Sequence, residues 1–305
     1  MTTHAWRVSR DDKIERHDLH EFLCRLEEDD HCLFEEEQLQ QRLIALDRLD
    51  AKFGGLDSEA FAEGTSSRIR SRAQALRTRL EAANAELFRA LRSEIIRRGQ
   101  PGILLQWLRN PLSHNGSTSP LPGPGFDWRD ELVSGILQFK EPSEPDLYRP
   151  DMVPYQPTPA RHILHLIASS LLSKDDIFVD LGSGLGHVPL LVSMLAGIRS
   201  VGIEVQPAYV ASARQCAESL RLSLVRFAAE DARATDLSGG TVFYLYSPFK
   251  GSMLTNVLNS LRKESMRRSI KICSLGPCTS TVANETWLQT SSLPGTGRIA
   301  VFCSR

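Results

Sequence analysis

The chain has no apolar run approaching membrane-spanning length, no Cys-x-x-Cys pair and no excess of charge of either sign, its 305 residues carrying a formal net charge of -1. Each absence removes a class of protein. Without roughly 20 consecutive apolar residues no helix crosses a bilayer. The start, Met-Thr-Thr-His-Ala-Trp-Arg, lacks the pattern of a secretory leader, so a cytoplasmic location is expected. Cys24, Cys32, Cys216, Cys273, Cys278 and Cys303 are expected to be reduced, partly buried thiols. His17 with His20, and His162 with His165, lie three apart, but no third ligand of suitable spacing follows and no metal site is expected. The near-neutral balance argues against a general nucleic-acid binder while leaving room for a local basic face. There is no internal repeat.

What is present is concentrated in the second half. Residues 177 to 186 read Ile-Phe-Val-Asp-Leu-Gly-Ser-Gly-Leu-Gly, an apolar strand that ends in Asp180 and enters a turn with glycine at alternate positions. Glycine lacks a Cβ and accepts positive φ, so such a turn lets backbone approach a ligand closely. A dinucleotide fingerprint needs Gly-x-Gly-x-x-Gly, and counting from Gly182 or Gly184 puts Leu185 or Pro189 on the last position. A nicotinamide or flavin is therefore disfavoured. Taken alone, Gly182, Ser183, Gly184 and Gly186 are also compatible with a plain tight turn between strand and helix.

The next segments narrow the reading. Ser200 to Glu204 is a second apolar strand ending in an acid, with Pro207 at the first turn of a following helix. Glu204 there can accept two hydroxyl hydrogen bonds from a ribose, which does not by itself choose between nucleoside ligands. Leu224 to Ala228 is a third strand, and Asp231 lies just beyond it, either as a cap or as an acceptor for an adenine amino group. Three acids at three strand ends, with no Lys or Arg in the glycine turn to hold phosphates, suit a cationic nucleoside, and S-adenosylmethionine is such a ligand. The fourth strand, Thr241 to Tyr246, leads into Ser247-Pro248-Phe249 on the reaction side of the crevice. Of Tyr244 and Tyr246, one is expected in the core and the other at the rim. Ser-Pro-Phe reads equally as a strand-ending turn with a core Phe.

Residues 155 to 278 resemble the catalytic core of class I S-adenosylmethionine-dependent methyltransferases, and the layout is most similar to the non-SET histone lysine methyltransferases of the disruptor-of-telomeric-silencing type. Tyr155-Gln-Pro-Thr158 stands where that family has a Tyr-x-x-Thr loop over the methionine end of the cofactor; Ser173 to Gly184 follows the family pattern, and Ser274 to Pro277 its Ser-x-x-Pro segment. The resemblance implies Tyr155, Thr158, Asp180, Gly182, Ser183, Gly184, Gly186, Glu204 and Asp231 as cofactor contacts. It also departs. Ala232 replaces an aromatic residue, and Tyr246-Ser247-Pro248-Phe249 replaces an Asn-Asn-Phe element of the lysine channel. Tyr246, Ser247 and Phe249 are thus candidates for lining an acceptor, with a protein lysine first and RNA or a small molecule as alternatives. A further alternative is a cofactor-binding scaffold acting through its helical arm.

The fold expected is α/β, a Rossmann-like seven-stranded class I methyltransferase sheet with an N-terminal helical hairpin. Strands should begin near Ile177, Ser200, Leu224, Thr241 and Ile270, with Glu285 to Thr290 and Arg298 to Phe302 closing the sheet and the last strand antiparallel by resemblance. Residues 1–34 read as an acidic segment, 35–98 as the hairpin, 99–126 as a Pro/Gly/Ser-rich linker and 127–305 as the methyltransferase domain. The hairpin rests on two stripes at three-to-four spacing, Leu39, Leu43, Leu46, Leu49 and Phe53, then Ile69, Ala73, Leu76, Leu80, Ala83, Leu87, Leu91 and Ile95. Acidic side chains gather before residue 64 and basic ones after it. Those faces either attract each other or dock a protein or nucleic-acid partner. Lys140 to Pro159 reads as a proline-punctuated loop delivering Tyr155 and Thr158.

Overall fold

The computed structural model describes residues 10–28, 33–53, 65–98, 102–109, 127–140, 153, 155–290 and 294–305. The stretch from Asn110 to Gly125, the Gly54-Gly55 break and residues 141–152 of the proline-punctuated loop lie outside the described residues. In chain order the elements are α1 (Arg10–Glu28), α2 (Leu39–Phe53), α3 (Thr65–Arg98), α4 (Gly102–Arg109), α5 (Trp128–Leu137), α6 (Ala160–Ser169), β1 (Ile177–Leu181), α7 (His187–Ala196), β2 (Arg199–Glu204), α8 (Pro207–Ser219), β3 (Val225–Ala229), β4 (Val242–Tyr246), α9 (Gly251–Ser265), β5 (Lys271–Leu275), α10 (Cys278–Ala283), β6 (Leu288–Gln289) and β7 (Ala300–Ser304). Among the described residues the chain forms two compact units, the first ending at Ala90 and the second beginning at Leu91.

The second unit is a 7-stranded sheet in the order β3-β2-β1-β4-β5-β7-β6. β1 to β5 run parallel, and β7 is antiparallel to both β5 and β6. Parallel strands covered on both faces must be apolar almost throughout, which is why β1, β4 and β5 read as short continuous runs. Strand order reverses between β1 and β4, opening the crevice at their carboxyl ends. Register places Asp180 beside Gly202 on one side and Tyr244 on the other, with Glu204 beside Ala229. Phe227 of β3 leans across β2: a Cβ on Gly202 or on Gly186 would each lie 2.5 Å from its ring. Two carboxylates order the approach to the crevice. Asp127 opens α5 by accepting from Arg129 N at 2.8 Å, and Asp130 Oδ2 accepts in return from Asp127 N at 2.7 Å. Asp130 Oδ1 accepts from Ala160 N, also at 2.7 Å, so the same side chain fixes the start of α6 and with it the segment holding Tyr155 and Thr158. Burial pushes the Asp130 carboxyl up, opposed by these amide bonds.

In the first unit the expected hairpin gains a third member. The acidic segment contains α1, whose Leu19, Leu23 and Leu26 pack with Ala45 and Leu49 of α2 and with Ile69, Ala73, Leu76 and Leu80 of α3. Two helices alone leave a flank of each apolar stripe in water; α1 covers it. The buried face of α2 is also rotated from the leucine stripe. It consists of Leu39, Arg42, Ala45 and Leu49, while Leu43 and Leu46 are half-buried. Arg42 is 1% exposed. Its Nε donates to Asn84 Oδ1 at 2.6 Å, and Nη1 donates to the carbonyls of Leu33 at 2.9 Å and Glu35 at 2.6 Å. Asn84, not Ala83, therefore faces inward from α3. Arg72 pairs with Glu27 at 2.5 Å, Arg77 pairs with Asp50, and Arg79 lies 4.5 Å over the Phe34 ring, so the acidic and basic faces meet within this unit. Arg42→Ala should lower stability by about 3 kcal/mol or more, because Asn84 Oδ1 and the carbonyls of Leu33 and Glu35 each lose a buried donor. Arg42→Lys should recover little, since an ammonium does not reproduce the guanidinium fork. Urea unfolding followed by far-ultraviolet circular dichroism measures both; a loss below about 1 kcal/mol would mean that water takes over the role of the guanidinium.

Candidate active site

The glycine turn is built against β2. Gly182, Gly184 and Gly186 have φ of 87, 52 and 87 degrees, values at which a side chain is strained. Gly182 N and Ser183 N both donate to the carbonyl of Ile203, at 2.8 and 3.0 Å, which curls the turn onto the end of β2. Glu204 completes the wrap. Its Oε2 accepts from Gly184 N and its Oε1 from Gln206 N, each at 2.9 Å. Each oxygen has accepted one amide and keeps capacity for a ligand hydroxyl.

One cavity of about 990 Å³ lies at the carboxyl ends of the strands, and Tyr155, Thr158, Asp180, Gly182, Ser183, Glu204, Tyr246, Ser247 and Phe249 all line it. Gly184 and Gly186 do not: Tyr155 covers Gly184 so closely that a Cβ there would lie 2.2 Å from its ring, and Gly186 packs on Phe227. The Tyr155 hydroxyl lies 3.0 Å from His187 Nδ1, and its ring centroid 5.3 Å from that of Tyr209. Thr158 Oγ1 and the Tyr244 hydroxyl are 3.3 Å apart in the interior.

The geometry adds detail at three places. Asp231 does not line the cavity; its Oδ1 accepts from the Arg233 backbone at 3.0 Å and from Arg233 Nε at 2.9 Å, a turn cap closed by its own neighbour. Glu230 lines the cavity instead. Ser247 faces the cavity, but its hydroxyl is engaged by the scaffold, accepting from Cys278 N at 2.9 Å and donating to the Leu275 carbonyl at 3.3 Å. With φ of 42 degrees it forms the corner after β4 and is a positioning residue. Tyr244 is buried in the core and Tyr246 half-buried at the rim, as expected, and both line the cavity because residues two apart in a strand share a face. Sequence reasoning also missed His187, Tyr209 and His162. The signal was available for the first two, which occupy the opening turns of the helices after β1 and β2, where side chains face the crevice.

Electrostatics set what the cavity accepts. Asp180 is 4% exposed, and burial, then the adjacent charge of Glu204, holds its carboxyl well above the usual range. Burial pushes His187 down to about 4, leaving a neutral imidazole, and raises the Tyr155 phenol. Ser183 Oγ is buried without a hydrogen-bond partner. A ligand that brings a cation to Asp180, hydroxyls to Glu204 and a polar group to Ser183 satisfies all three. Among the described residues no group of His, Cys, Asp and Glu is placed to hold a metal ion, and no helix is long and apolar enough to cross a membrane.

The family model described as "Histone methylation protein DOT1" matches residues 155–238, the span from the Tyr155 segment to the end of the loop after β3. The chain is an S-adenosylmethionine-dependent methyltransferase. Its layout is DOT1-like, and S-adenosylmethionine is its cofactor. No curated protein matches the chain. Among solved structures it is similar to an RNA methyltransferase from Salinibacter ruber in complex with S-adenosyl-L-homocysteine, at 24% identity over 49% of this chain and 92% of that one, with a TM-score of 0.39. It is also similar to a precorrin-6y C5,15-methyltransferase from Geobacter metallireducens, at 15% identity over 50% of this chain and 92% of that one, TM-score 0.38.

Two predictions follow from the carboxylates of this methyltransferase. Glu204→Ala should weaken cofactor binding at least about tenfold, since charge-assisted hydrogen bonds of roughly 1.5 to 3 kcal/mol are lost. Calorimetry giving unchanged affinity in the folded variant would remove Glu204 from the site. Asp180 holds its proton to higher pH folded than unfolded, so between the ordinary carboxylate value and the raised one the folded protein binds more protons. Its contribution to the stability of the cofactor-free protein is fully present below that window and lost as pH rises through it. Thermal melts across pH should show this decline in the wild type and not in Asp180→Asn. Binding of a cationic ligand should also release a proton, seen as a buffer-dependent enthalpy; no dependence on buffer would mean that Asp180 is already ionised.

Proposed function

We propose that this methyltransferase modifies an amino group of a protein, a lysine side chain first. The reading is carried by the match of residues 155–238 to a family model described as a histone methylation protein. The acceptor side of the cavity agrees with it. Tyr246, Phe249, Met253 and Leu254 line that side, and its charged lining residue is Lys250; the carboxylates Asp180, Glu204 and Glu230 lie along the first three strands. A wall without acids favours an amine in its neutral, nucleophilic form, because burial without a counter-charge lowers an ammonium's pKa. The cofactor supplies a methyl group on a sulfonium, an electrophile that needs no activation.

The protein's own contribution is alignment and the exclusion of water. Asp180 would hold the ammonium end of the cofactor and Glu204 its ribose hydroxyls. Tyr155 and Thr158, anchored to His187 and Tyr244, would cover the methyl donor. Tyr246 and Phe249 flank the approach of the acceptor, and Ser247 sets their angle by pinning the corner to Cys278. His162, in the cavity wall, is held below its ordinary value by burial and then by the charges of Arg161 and His165. As a neutral imidazole it can take the proton that the amine gives up. In this reading the first unit presents the acceptor, and the enzyme works in the cytoplasm.

Incubation with radiolabelled S-adenosylmethionine and fractionated lysate should place label in protein and, after acid hydrolysis, in methyl-lysine; label confined to RNA or to small molecules overturns the lysine assignment. With the substrate identified, Tyr246→Ala should lower single-turnover transfer on the order of a hundredfold, the cost of misplacing a reacting group by about 1 Å. Cofactor affinity should stay within the wild-type range. Parallel losses in both would make Tyr246 part of the cofactor pocket alone.

A further inference from the structure

Away from the cavity, the outer edge of the sheet carries a cluster of arginines with no part in methyl transfer. β3 is the terminal strand on this side. Between it and the end of α8 lies a cleft of about 550 Å³ whose lining includes Arg214, Arg221, Arg226, Ser223 and Glu218. The three arginines are exposed, as is Arg199 at the start of the neighbouring strand. Among the described residues none of Arg214, Arg221 and Arg226 is in an ion pair. In a chain whose net charge is -1, this is a local concentration of positive charge with a single carboxylate beside it.

Ordinary structural roles account for part of it. Arg214 covers the strand edge, donating Nε and Nη2 to the Phe227 carbonyl at 3.1 and 2.6 Å. A cation at a helix carboxyl end also complements the helix dipole. Neither role explains the backbone under Arg221. α8 ends with Leu222 N donating to Ala217 O at 2.9 Å and Arg221 N to Glu218 O at 3.0 Å, and Arg221 sits between them at φ of 54 degrees. Glycine is the usual residue at that position, and this chain uses Gly197, φ 64 degrees, after α7. Here a strained arginine occupies it, and it lines the cleft together with Arg226.

We infer that this cleft binds the phosphate backbone of a single-stranded nucleic acid. Guanidinium forks pair with phosphate oxygens in two parallel hydrogen bonds. A protein partner would need a desolvated apolar anchor at the centre of the contact. Of the apolar residues of the cleft, Ala217, Val225 and Phe227 are buried and Leu222 alone is half-buried, which is no apolar anchor of the size a protein partner needs, so charge is what the cleft mainly offers. Backbone contacts of this kind carry little sequence preference and depend strongly on salt. The inference stands apart from the identity of the methyl acceptor, because it concerns binding without cofactor.

The test is fluorescence anisotropy of a labelled oligouridine with the full chain. Affinity should fall with salt between about 50 and 200 mM with a logarithmic slope of about -2, the value for three phosphate contacts on a single strand. Arg221→Glu combined with Arg226→Glu should weaken binding at least about tenfold. Arg221→Gly removes the backbone strain, so it should melt no lower than the wild type yet bind the oligonucleotide several-fold more weakly. Glu204→Ala should bind it like the wild type, separating this site from the methyl-transfer cavity. No wild-type binding at low salt, unchanged affinity in the arginine variants, or equal affinity for polyglutamate would each overturn the proposal.

Discussion

A single carboxylate holds the cavity together. Glu204, at the end of β2, receives Gly184 N in one oxygen and Gln206 N in the other, and so ties the glycine turn after β1 to the start of α8. Hydrogen bonds to a charged acceptor are about twice as strong as neutral ones, and here they also fill amide donors that a tight turn would otherwise leave open. This positioning has an electrostatic consequence. It fixes a negative charge beside buried Asp180 without bringing a cation, so burial and this charge together hold the Asp180 carboxyl up, and a cationic ligand would relieve both. Affinity for such a ligand is built into the way the turn is folded.

The glycines serve the protein as much as the ligand. A side chain on Gly182 would collide with Pro248, with Cβ atoms 2.3 Å apart, and one on Gly184 would strike Tyr155. The turn is therefore gripped by two loops, one following β4 and one preceding α6. Both loops hold acceptor-side or lid residues. Val153 N donates to the Pro248 carbonyl at 3.3 Å, which joins the loops to each other. Cofactor pocket and acceptor wall share one packed junction, and shape changes on one side are transmitted to the other by contact.

How far the sequence could be read depended on whether a residue's role was local. β1 with its glycine turn was legible because strand apolarity, a terminal acid and positive φ are all encoded within ten or so positions. Glu204 was legible for the same reason, by its place at a strand end. Asp231 reads from the sequence as either a cap or an adenine contact, because the choice turns on whether a neighbouring arginine engages it, and Arg233 does. The engagement of the Ser247 hydroxyl was not legible in the sequence, since its partners Leu275 and Cys278 come from the next strand and helix. α1 and the inward turn of Arg42 were missed because periodicity scores apolar residues. It does not anticipate a guanidinium buried by backbone carbonyls from the preceding connection.

Aromatic placement around the turn shows how the same few positions combine structure and chemistry. Tyr155 is exposed enough to reach solvent yet lies flat on Gly184, with its hydroxyl at His187 and its ring near Tyr209. The imidazole is desolvated and neutral, so the bond between them persists across the physiological range without a charge change. A ring held in this way cannot leave without breaking that bond and uncovering Gly184 and the His187 face together. Displacing the covering segment would break that bond together with the one from Val153 N to the Pro248 carbonyl, so the segment is tied to the glycine turn and to the acceptor side alike. Asp130 fixes the start of α6 only a few residues farther on, accepting from Ala160 N at 2.7 Å. The covering segment is held at Tyr155 by His187 and at Ala160 by Asp130, so it is anchored to the helices that flank the sheet positioning the carboxylates.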